Sequence, residues 1–183
     1  AVRIETVGES TIVTLANGDK IDAEKVVVAG GAWSKPLAAS LGDNVPLETE
    51  RGYNTTLPLD AFDLKRQIYF NDHAFVVTPL SNGLRVGGAV ELGGLQLPAN
   101  YRRSEALLKK AARFLPGLRT EGGKQWMGFR PSMPDSLPVI GPSRSLPSVI
   151  YAFGHGHLGL TQSAATARLV SELAAGQETS MSV

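Results

Sequence analysis

The first 44 residues alternate β-branched and polar positions and then enter an uninterrupted apolar run. Residues 11–15 and 20–23 flank Asn17-Gly18, a dipeptide preferred in tight hairpin turns, so this part predicts a β-hairpin. Residues 26–29 are all apolar, which predicts a strand covered on both faces. Residues 34–42 predict a short helix with Ser34 as its N-cap. This strand, glycine-rich turn and helix indicate the edge of a nucleotide-binding sheet, although a tight turn that needs small residues explains them equally well.

From residue 45 to residue 94, short apolar and aromatic runs are separated by turn residues, and this pattern predicts an antiparallel sheet. The predicted strands cover residues 51–57, 67–70, 74–78 and 84–90. A helix with one apolar face follows, and Pro116-Gly117 ends it. The residues that share this face are Leu107, Leu108, Ala111, Phe114 and Leu115.

The last part of the chain combines an arginine, a short apolar strand and a glycine-rich loop. Residues 125–129 predict a strand, and Arg130 enters a turn stiffened by Pro131. A guanidinium fixed in this way is a suitable partner for a carboxylate. Residues 154–159 form a glycine-rich loop that opens a helix over residues 160–175, and such a helix start favours an anion or an electron-rich carbonyl.

Composition narrows the classes of function. Apolar residues make up 43% of the chain and charged residues 19%, which is typical of a globular protein. The net charge is +1, and no basic cluster is interleaved with aromatic residues, so we expect no nucleic-acid partner. Cysteine is absent, which excludes disulfides and a cysteine nucleophile. We expect a cytoplasmic protein, in contact at most with the cytoplasmic face of a membrane. Because the sequence opens without methionine and in mid-pattern, we also expect a piece of a longer protein.

Three segments of the chain resemble the D-amino-acid oxidase-like superfamily of FAD-dependent oxidoreductases, in particular its glycine oxidases and D-amino-acid dehydrogenases. The first is Val-Val-Val-Ala-Gly-Gly-Ala-Trp-Ser at residues 26–34. The second is Gly-Phe-Arg-Pro-Ser-Met-Pro-Asp-Ser-Leu-Pro-Val-Ile-Gly at 128–141, similar to the family's signature around an arginine that binds the substrate carboxylate. The third is Ala-Phe-Gly-His-Gly-His-Leu-Gly-Leu-Thr at 152–161, similar to the loop at the flavin pyrimidine edge.

The resemblance implies a mixed α/β fold of the α+β class. An antiparallel-sheet substrate-binding domain would cover residues 45–130, and residues 1–44 and 131–183 would form the C-terminal part of an FAD-binding, Rossmann-like domain. The complete protein would oxidise an amino acid, either a D-amino acid, glycine or a related secondary amine, to its imine and then the 2-oxo acid. The FAD would be bound non-covalently, since the position at which some relatives attach it through cysteine is Gly128 here.

The resemblance also implies two substrate-binding residues and assigns no catalytic acid or base. Arg130 would bind the substrate carboxylate with both arms of its guanidinium, and a surface salt bridge is the alternative explanation. Tyr53 would donate its hydroxyl to the same carboxylate, whereas a core tyrosine with its hydroxyl at the rim explains it equally well. Glu91 is most simply a solvated strand position.

The implied FAD site uses two loops. The turn after the first parallel strand would lie beside the FAD ribose and diphosphate, and the glycine-rich loop before the last helix would hold the flavin; a core position is the simpler interpretation of Trp33. The two histidines of the second loop lack a cysteine or a carboxylate nearby in sequence, and we expect no metal there. The residues assigned to FAD are Ala29, Gly30, Gly31 and Trp33 in the first loop, and Gly154, His155, Gly156, His157, Leu158, Gly159, Leu160 and Thr161 in the second.

The sequence departs from the family pattern in two respects. No G-x-G-x-x-G turn for the diphosphate occurs, so we expect this chain to hold FAD weakly or not at all without the N-terminal part of the enzyme or a partner chain. Thr161 stands where oxygen-activating relatives have a lysine, which favours a quinone-type electron acceptor over oxygen. The alternative function is that of a non-catalytic fragment or partner subunit that does not bind FAD by itself.

Overall fold

The two ends of the chain fold together as one unit, and the middle of the chain folds as a second. The computed structural model describes residues 1–7 and 10–182. Unit 1 consists of Ala1–Thr49 and Arg130–Val183, and unit 2 consists of Glu50–Phe129. Which unit serves FAD and which serves a substrate stays a prediction.

The strands, in chain order, are β1 (Arg3–Val7), β2 (Ser10–Thr14), β3 (Lys20–Ala23), β4 (Val26–Val28), β5 (Glu48–Leu57), β6 (Ile68–Phe70), β7 (Phe75–Leu80), β8 (Gly83–Leu92), β9 (Lys124–Ser132), β10 (Val139–Pro142) and β11 (Val149–Phe153). The helices are α1 (Ser34–Ser40), α2 (Arg102–Phe114) and α3 (Gly159–Ala174), and short 3-10 turns cover Gly31–Trp33 and Asn71–His73.

Unit 1 contains two sheets of three strands among the described residues. One has the order β1-β2-β3, and its pair β2–β3 is the hairpin that the sequence predicts. The other has the order β10-β11-β4, in which β10 runs antiparallel to β11 and β4 runs parallel to it. The prediction that residues 26–29 are covered on both faces is wrong, because β4 is an edge strand and Val27 is 43% exposed. An apolar run shows which side chains are suited to burial, but it does not show whether another element packs against them.

The core of unit 1 forms where α1 and the β1–β2 hairpin pack on the β11–β4 pair. Its buried members are Ile4, Val28, Ala38, Leu47, Val149, Tyr151 and Phe153. At the rim of this core, Asp43 Oδ2 accepts hydrogen bonds from the hydroxyls of Ser143 at 2.6 Å and Tyr151 at 2.8 Å. The hydrogen bond from Ser143, followed by that from Tyr151, lowers the pKa of Asp43. This carboxylate therefore ties the end of α1 to the loop after β10.

Unit 2 is a five-stranded sheet of order β6-β7-β8-β5-β9 with α2 packed against β8. The pairs β6–β7, β7–β8 and β8–β5 are antiparallel, as the sequence predicts. The β5–β8 register shifts between Tyr53 and Asn54, where a bulge changes the twist of the strand. The buried residues between the sheet and α2 are Leu57, Ala61, Phe75, Val77, Leu84, Val86, Leu107, Ala111, Leu115 and Leu118. The predicted mixed α+β fold is confirmed.

No helix in the described part of the chain is both long enough and apolar enough to cross a bilayer.

Candidate functional site

Two loops of unit 1 start at the same edge of a sheet. Because β4 and β11 are parallel neighbours, their carboxyl ends lie together, and there the loops after Val28 and Phe153 begin. In open α/β sheets, ligands bind in the crevice outside the carboxyl ends of neighbouring strands. The predicted FAD-binding residues are the residues of these two loops.

Pro131, near the end of β9, is hydrogen-bonded to the second loop and lies close to the first. Its carbonyl oxygen accepts a 2.7 Å hydrogen bond from the backbone N–H of Gly156. Its Cγ lies 4.0 Å from the point that a Cβ on Gly31 would occupy. The next residue, Ser132, forms an antiparallel bridge with His155. The segment that starts at Arg130 therefore joins the first loop to the second within unit 1.

Backbone conformation explains two of the glycines in these loops. Gly31 has a φ of +57° and Gly154 a φ of +89°, values that side-chain-bearing residues rarely adopt. A Cβ on Gly154 would in addition lie 2.9 Å from Met133 Cγ. Glycine at these positions lets each loop turn sharply.

The second loop leads into α3, whose N-terminus presents unpaired donors. No side chain caps this helix, and the backbone N–H groups of Gly159, Leu160 and Thr161 have no acceptor among the described residues. Leu160 is 92% exposed. Unpaired N–H groups and the positive end of the helix dipole together favour an electron-rich oxygen.

The two histidines of the second loop lie in different environments. His155 is partly buried, and its Nε2 lies 2.9 Å from Thr166 Oγ1 on α3. Burial lowers the pKa of His155, so the imidazole is neutral at pH 7. His157 is exposed. Within the residues that the structure describes, no three histidine, cysteine, aspartate or glutamate side chains group as metal ligands.

The first loop differs from the sequence prediction in two ways. Trp33 is 57% exposed, so its interpretation as a core residue is wrong. The predicted N-cap Ser34 is instead the first residue of α1, and its buried Oγ has no hydrogen-bond partner in the described part of the protein. Ala29 and Gly30 are exposed. An exposed aromatic ring and an orphaned hydroxyl in one loop suit a ligand with both apolar and polar groups.

Arg130 is partly buried and lies within β9, which continues to Ser132. The prediction that a turn begins at this arginine is therefore wrong. Proline can continue a strand at a position where the backbone N–H would not have donated to a neighbouring strand. Among the described residues, no carboxylate lies within ion-pair distance of the Arg130 guanidinium. Its charge is available to a ligand.

Tyr53 belongs to unit 2, where it is only 1% exposed. Its hydroxyl donates a 2.5 Å hydrogen bond to Glu91 Oε2 and accepts one of 3.0 Å from the backbone N–H of Asn100. Because its single O–H proton is already donated, a substrate carboxylate would have to displace Glu91. The substrate-binding role of Tyr53 stays a prediction.

Glu91 is not a solvated strand residue, as the sequence suggests, but the centre of a partly buried cluster. Besides Tyr53, it pairs with Arg103 Nε at 3.2 Å and faces Arg51 Nη1 at 3.6 Å. The hydrogen bond from Tyr53 is the main cause that lowers the pKa of Glu91. Sequence reasoning missed this cluster; its only sequence signal is the spacing of Arg51 and Tyr53, which puts both side chains on the same face of a strand.

Comparisons with known proteins show the family to which the chain belongs. Residues 1–173 match the family model described as DAO, FAD dependent oxidoreductase. The chain is 40% identical over 185 residues to a D-amino-acid oxidase of Bradyrhizobium diazoefficiens, a match that covers 97% of this chain and 43% of that protein. It is 33% identical over 181 residues to D-amino acid dehydrogenase 3 of Mesorhizobium japonicum, covering 94% of this chain and 44% of that protein.

A solved structure supports the fold. Glycine oxidase from Geobacillus kaustophilus superposes with a TM-score of 0.86 at 24% identity, and the match covers 99% of this chain and 49% of that chain. The chain spans less than half the length of each of these relatives.

Proposed function

Because the chain belongs to the DAO family of FAD-dependent oxidoreductases, we propose that the protein it forms part of oxidises an amino acid at a site built on the loops around Pro131. The observation that carries this proposal is the position of Arg130. It directly precedes the proline that is hydrogen-bonded to the second loop and lies close to the first, and its guanidinium has no carboxylate partner in the described residues.

The residues of unit 1 fit a flavin nucleotide. The left-handed glycines Gly31 and Gly154 keep two adjacent backbone turns free of side chains. The exposed indole of Trp33 offers an apolar surface, and the buried Ser34 hydroxyl lacks a partner among the described residues. The unpaired N–H groups at the start of α3 suit the carbonyl edge of a ring that becomes negatively charged on reduction.

The roles of the FAD-binding residues follow from these features. Ala29, Gly30, Gly31 and Trp33 would hold the adenosine end of FAD. The loop from Gly154 to Thr161 would hold the flavin. When bound, FAD supplies the acceptor for a hydride from the substrate Cα, and the protein supplies binding and orientation. We expect this chain on its own to bind FAD weakly, since its sequence offers no G-x-G-x-x-G turn for the diphosphate.

Arg130 would bind the substrate carboxylate and fix its orientation. A guanidinium that meets a carboxylate with two parallel hydrogen bonds restrains the substrate in both position and angle. The donors at the start of α3 would stabilise negative charge that develops during the reaction. His155, neutral at pH 7, would add no positive charge to this loop. D-Amino acids and glycine-like amines are the proposed substrates, and a quinone-type compound is the proposed electron acceptor.

The test is the Arg130→Ala substitution in the complete protein, assayed with D-alanine and an artificial electron-accepting dye. Loss of one partner of a charge pair costs about 2 kcal/mol or more, so we expect KM to rise roughly 30-fold or more. The control is Arg66→Ala, which removes an exposed arginine of unit 2. Equal KM values for Arg130→Ala and the unaltered protein would exclude the role of Arg130.

A further inference from the structure

Unit 2 carries an open cleft that the proposed function does not use. Its volume is about 630 Å³, within the range of small-molecule sites. It lies where the carboxyl end of β5 meets the start of β8 and the start of β9. The lining residues that matter here are Asn54, Thr56, Arg85, Lys124 and Trp126.

Two positively charged side chains, Arg85 and Lys124, line this cleft. Arg85 and Lys124 are exposed, and neither forms an ion pair with any described residue. Arg85 makes a long side-chain hydrogen bond, with 3.4 Å between its Nε and Thr56 Oγ1. None of the described residues that line the cleft is an aspartate or a glutamate. Two cations that share one concave surface attract an anion more strongly than either does alone on a convex surface.

The walls of the cleft are suited to an organic ligand rather than a bare ion. Trp126 is 59% exposed, and its indole lies directly over the backbone of Gly128, where any side chain would collide with it. Pro58, which is exposed, adds apolar surface. The Asn54 Oδ1 atom is buried and has no hydrogen-bond partner in the described residues; it is an acceptor, so it suits an N–H or O–H donor and not a carboxylate oxygen.

We propose that this cleft binds a small organic carboxylate. Arg85 and Lys124 pair with the carboxylate oxygens, and Trp126 and Pro58 contact the carbon skeleton. The planar guanidinium of Arg85 matches the geometry of a carboxylate, and the ammonium of Lys124 adds a second, flexible donor. This inference goes beyond the proposed function, because binding in this cleft needs neither FAD nor turnover.

The probe is glutarate, titrated into the 183-residue chain and followed by the ¹H–¹⁵N NMR signals of the backbone and of the tryptophan indoles. We expect saturable shifts at Trp126 and at the lining strands, with none at Trp33. The neutral diamide glutaramide should produce no saturable shift, because it lacks the charge. Inorganic phosphate should bind at least fivefold more weakly than glutarate, because it makes no contact with the apolar wall.

Two substitutions give the proposal its residue-level test. Arg85→Gln and Lys124→Gln should each raise the glutarate Kd about three- to fivefold, as expected for exposed ion pairs, and the double variant about tenfold. Lys20→Gln is the control, since it removes an exposed lysine of unit 1. Both cleft cations are exposed, so we expect the variants to fold, and far-ultraviolet circular dichroism checks this.

Four outcomes would overturn the proposal: no saturable glutarate shifts, equal binding of glutaramide, phosphate binding as tight as glutarate, or an unchanged Kd in the double variant. Activity of the complete protein does not enter any of them. Failure of the Arg130 test and failure of this one are therefore distinguishable.

Discussion

His155 makes the stability of unit 1 depend on pH. Burial lowers the folded-state pKa of His155 below its ordinary value of 6.5. Between these two pKa values the unfolded chain binds more protons than the folded one, so stability rises with pH. The contribution of this group is fully present above about pH 6.5 and is lost as the pH falls through the folded-state pKa.

We therefore expect the melting temperature to fall on acidification below about pH 6.5 and to fall less steeply in His155→Gln. Glutamine keeps a polar group near Thr166 Oγ1, which lies 2.9 Å from His155 Nε2, but it does not titrate. The measurement is a series of thermal melts from about pH 5 to 8. His157→Gln, which alters the exposed histidine, serves as the control and should retain the original slope. Identical slopes for His155→Gln and the unaltered protein would show that another group carries the effect.

At the same scale, the surroundings of some residues can be predicted from the sequence and those of others cannot. Arg130 is identified by its immediate neighbours, because Pro131 and the glycines that follow make a local pattern. The hydroxyl of Tyr53 is different, since its acceptor Glu91 is 38 positions away in sequence. Residue-type preferences show that a buried tyrosine needs a hydrogen-bond partner, but only the pairing of β5 with β8 shows which one.

At the scale of elements, Gly154 holds the second loop in its shape. An alanine at this position would adopt a strained φ of +89°, and its Cβ would lie 2.9 Å from Met133 Cγ. We expect Gly154→Ala to reduce the free energy of unfolding by about 2–4 kcal/mol, the sum of backbone strain and overpacking.

Gly18→Ala is a matched control for this substitution. Its φ is +90°, and a Cβ there meets no atom within 4 Å. The control should therefore show the backbone strain alone, about 1 kcal/mol. Urea unfolding of both variants measures the difference, and equal losses would indicate that Met133 moves aside without cost.

The elements themselves are largely predictable from local sequence, and their surroundings are not. Asn17-Gly18 predicts the β2–β3 hairpin, and the turns near residues 71 and 82 separate β6, β7 and β8 correctly. These signals are local, because a turn depends on the φ values that a few neighbouring residues allow. In contrast, the exposure of Val27 depends on which strand pairs with β4, and that strand, β11, lies more than 100 residues later. Pairing over this distance leaves no local trace.

At the scale of the whole molecule, each unit has its own core. The buried cluster beneath α2 uses residues of unit 2, and the cluster around Val149 uses residues of unit 1. Because each core is assembled from residues of one unit, we expect each unit to be a separate unit of stability. The effect of a buried substitution should then be strongest in the unit that contains its contacts.

Arg51 tests this expectation, because its hydrogen bonds and its charged and aromatic neighbours within the described residues belong to unit 2. It is 0% exposed and donates to the carbonyl oxygens of Gly94 at 2.7 Å, Leu97 at 2.7 Å and Pro98 at 3.1 Å. Its guanidinium also lies 5.6 Å from the centre of the Phe129 ring and 3.6 Å from Glu91. The Arg51 side chain thus holds the segment after β8 against the sheet, and its positive charge faces the negative charge of Glu91.

We expect Arg51→Ala to reduce the free energy of unfolding of unit 2 by about 3–5 kcal/mol. The substitution removes the hydrogen-bond donor of three carbonyl oxygens and one of the positive charges that face Glu91. Arg113→Ala, which removes an exposed arginine of α2, should change it by less than about 0.5 kcal/mol. Native-state hydrogen exchange measures both units in one experiment. Amides of β5 and β8 should lose protection, and those of β11 should lose much less. Equal losses in β8 and β11 would mean that the two units unfold together, and the stability of the chain would then have to be treated as that of a single cooperative structure.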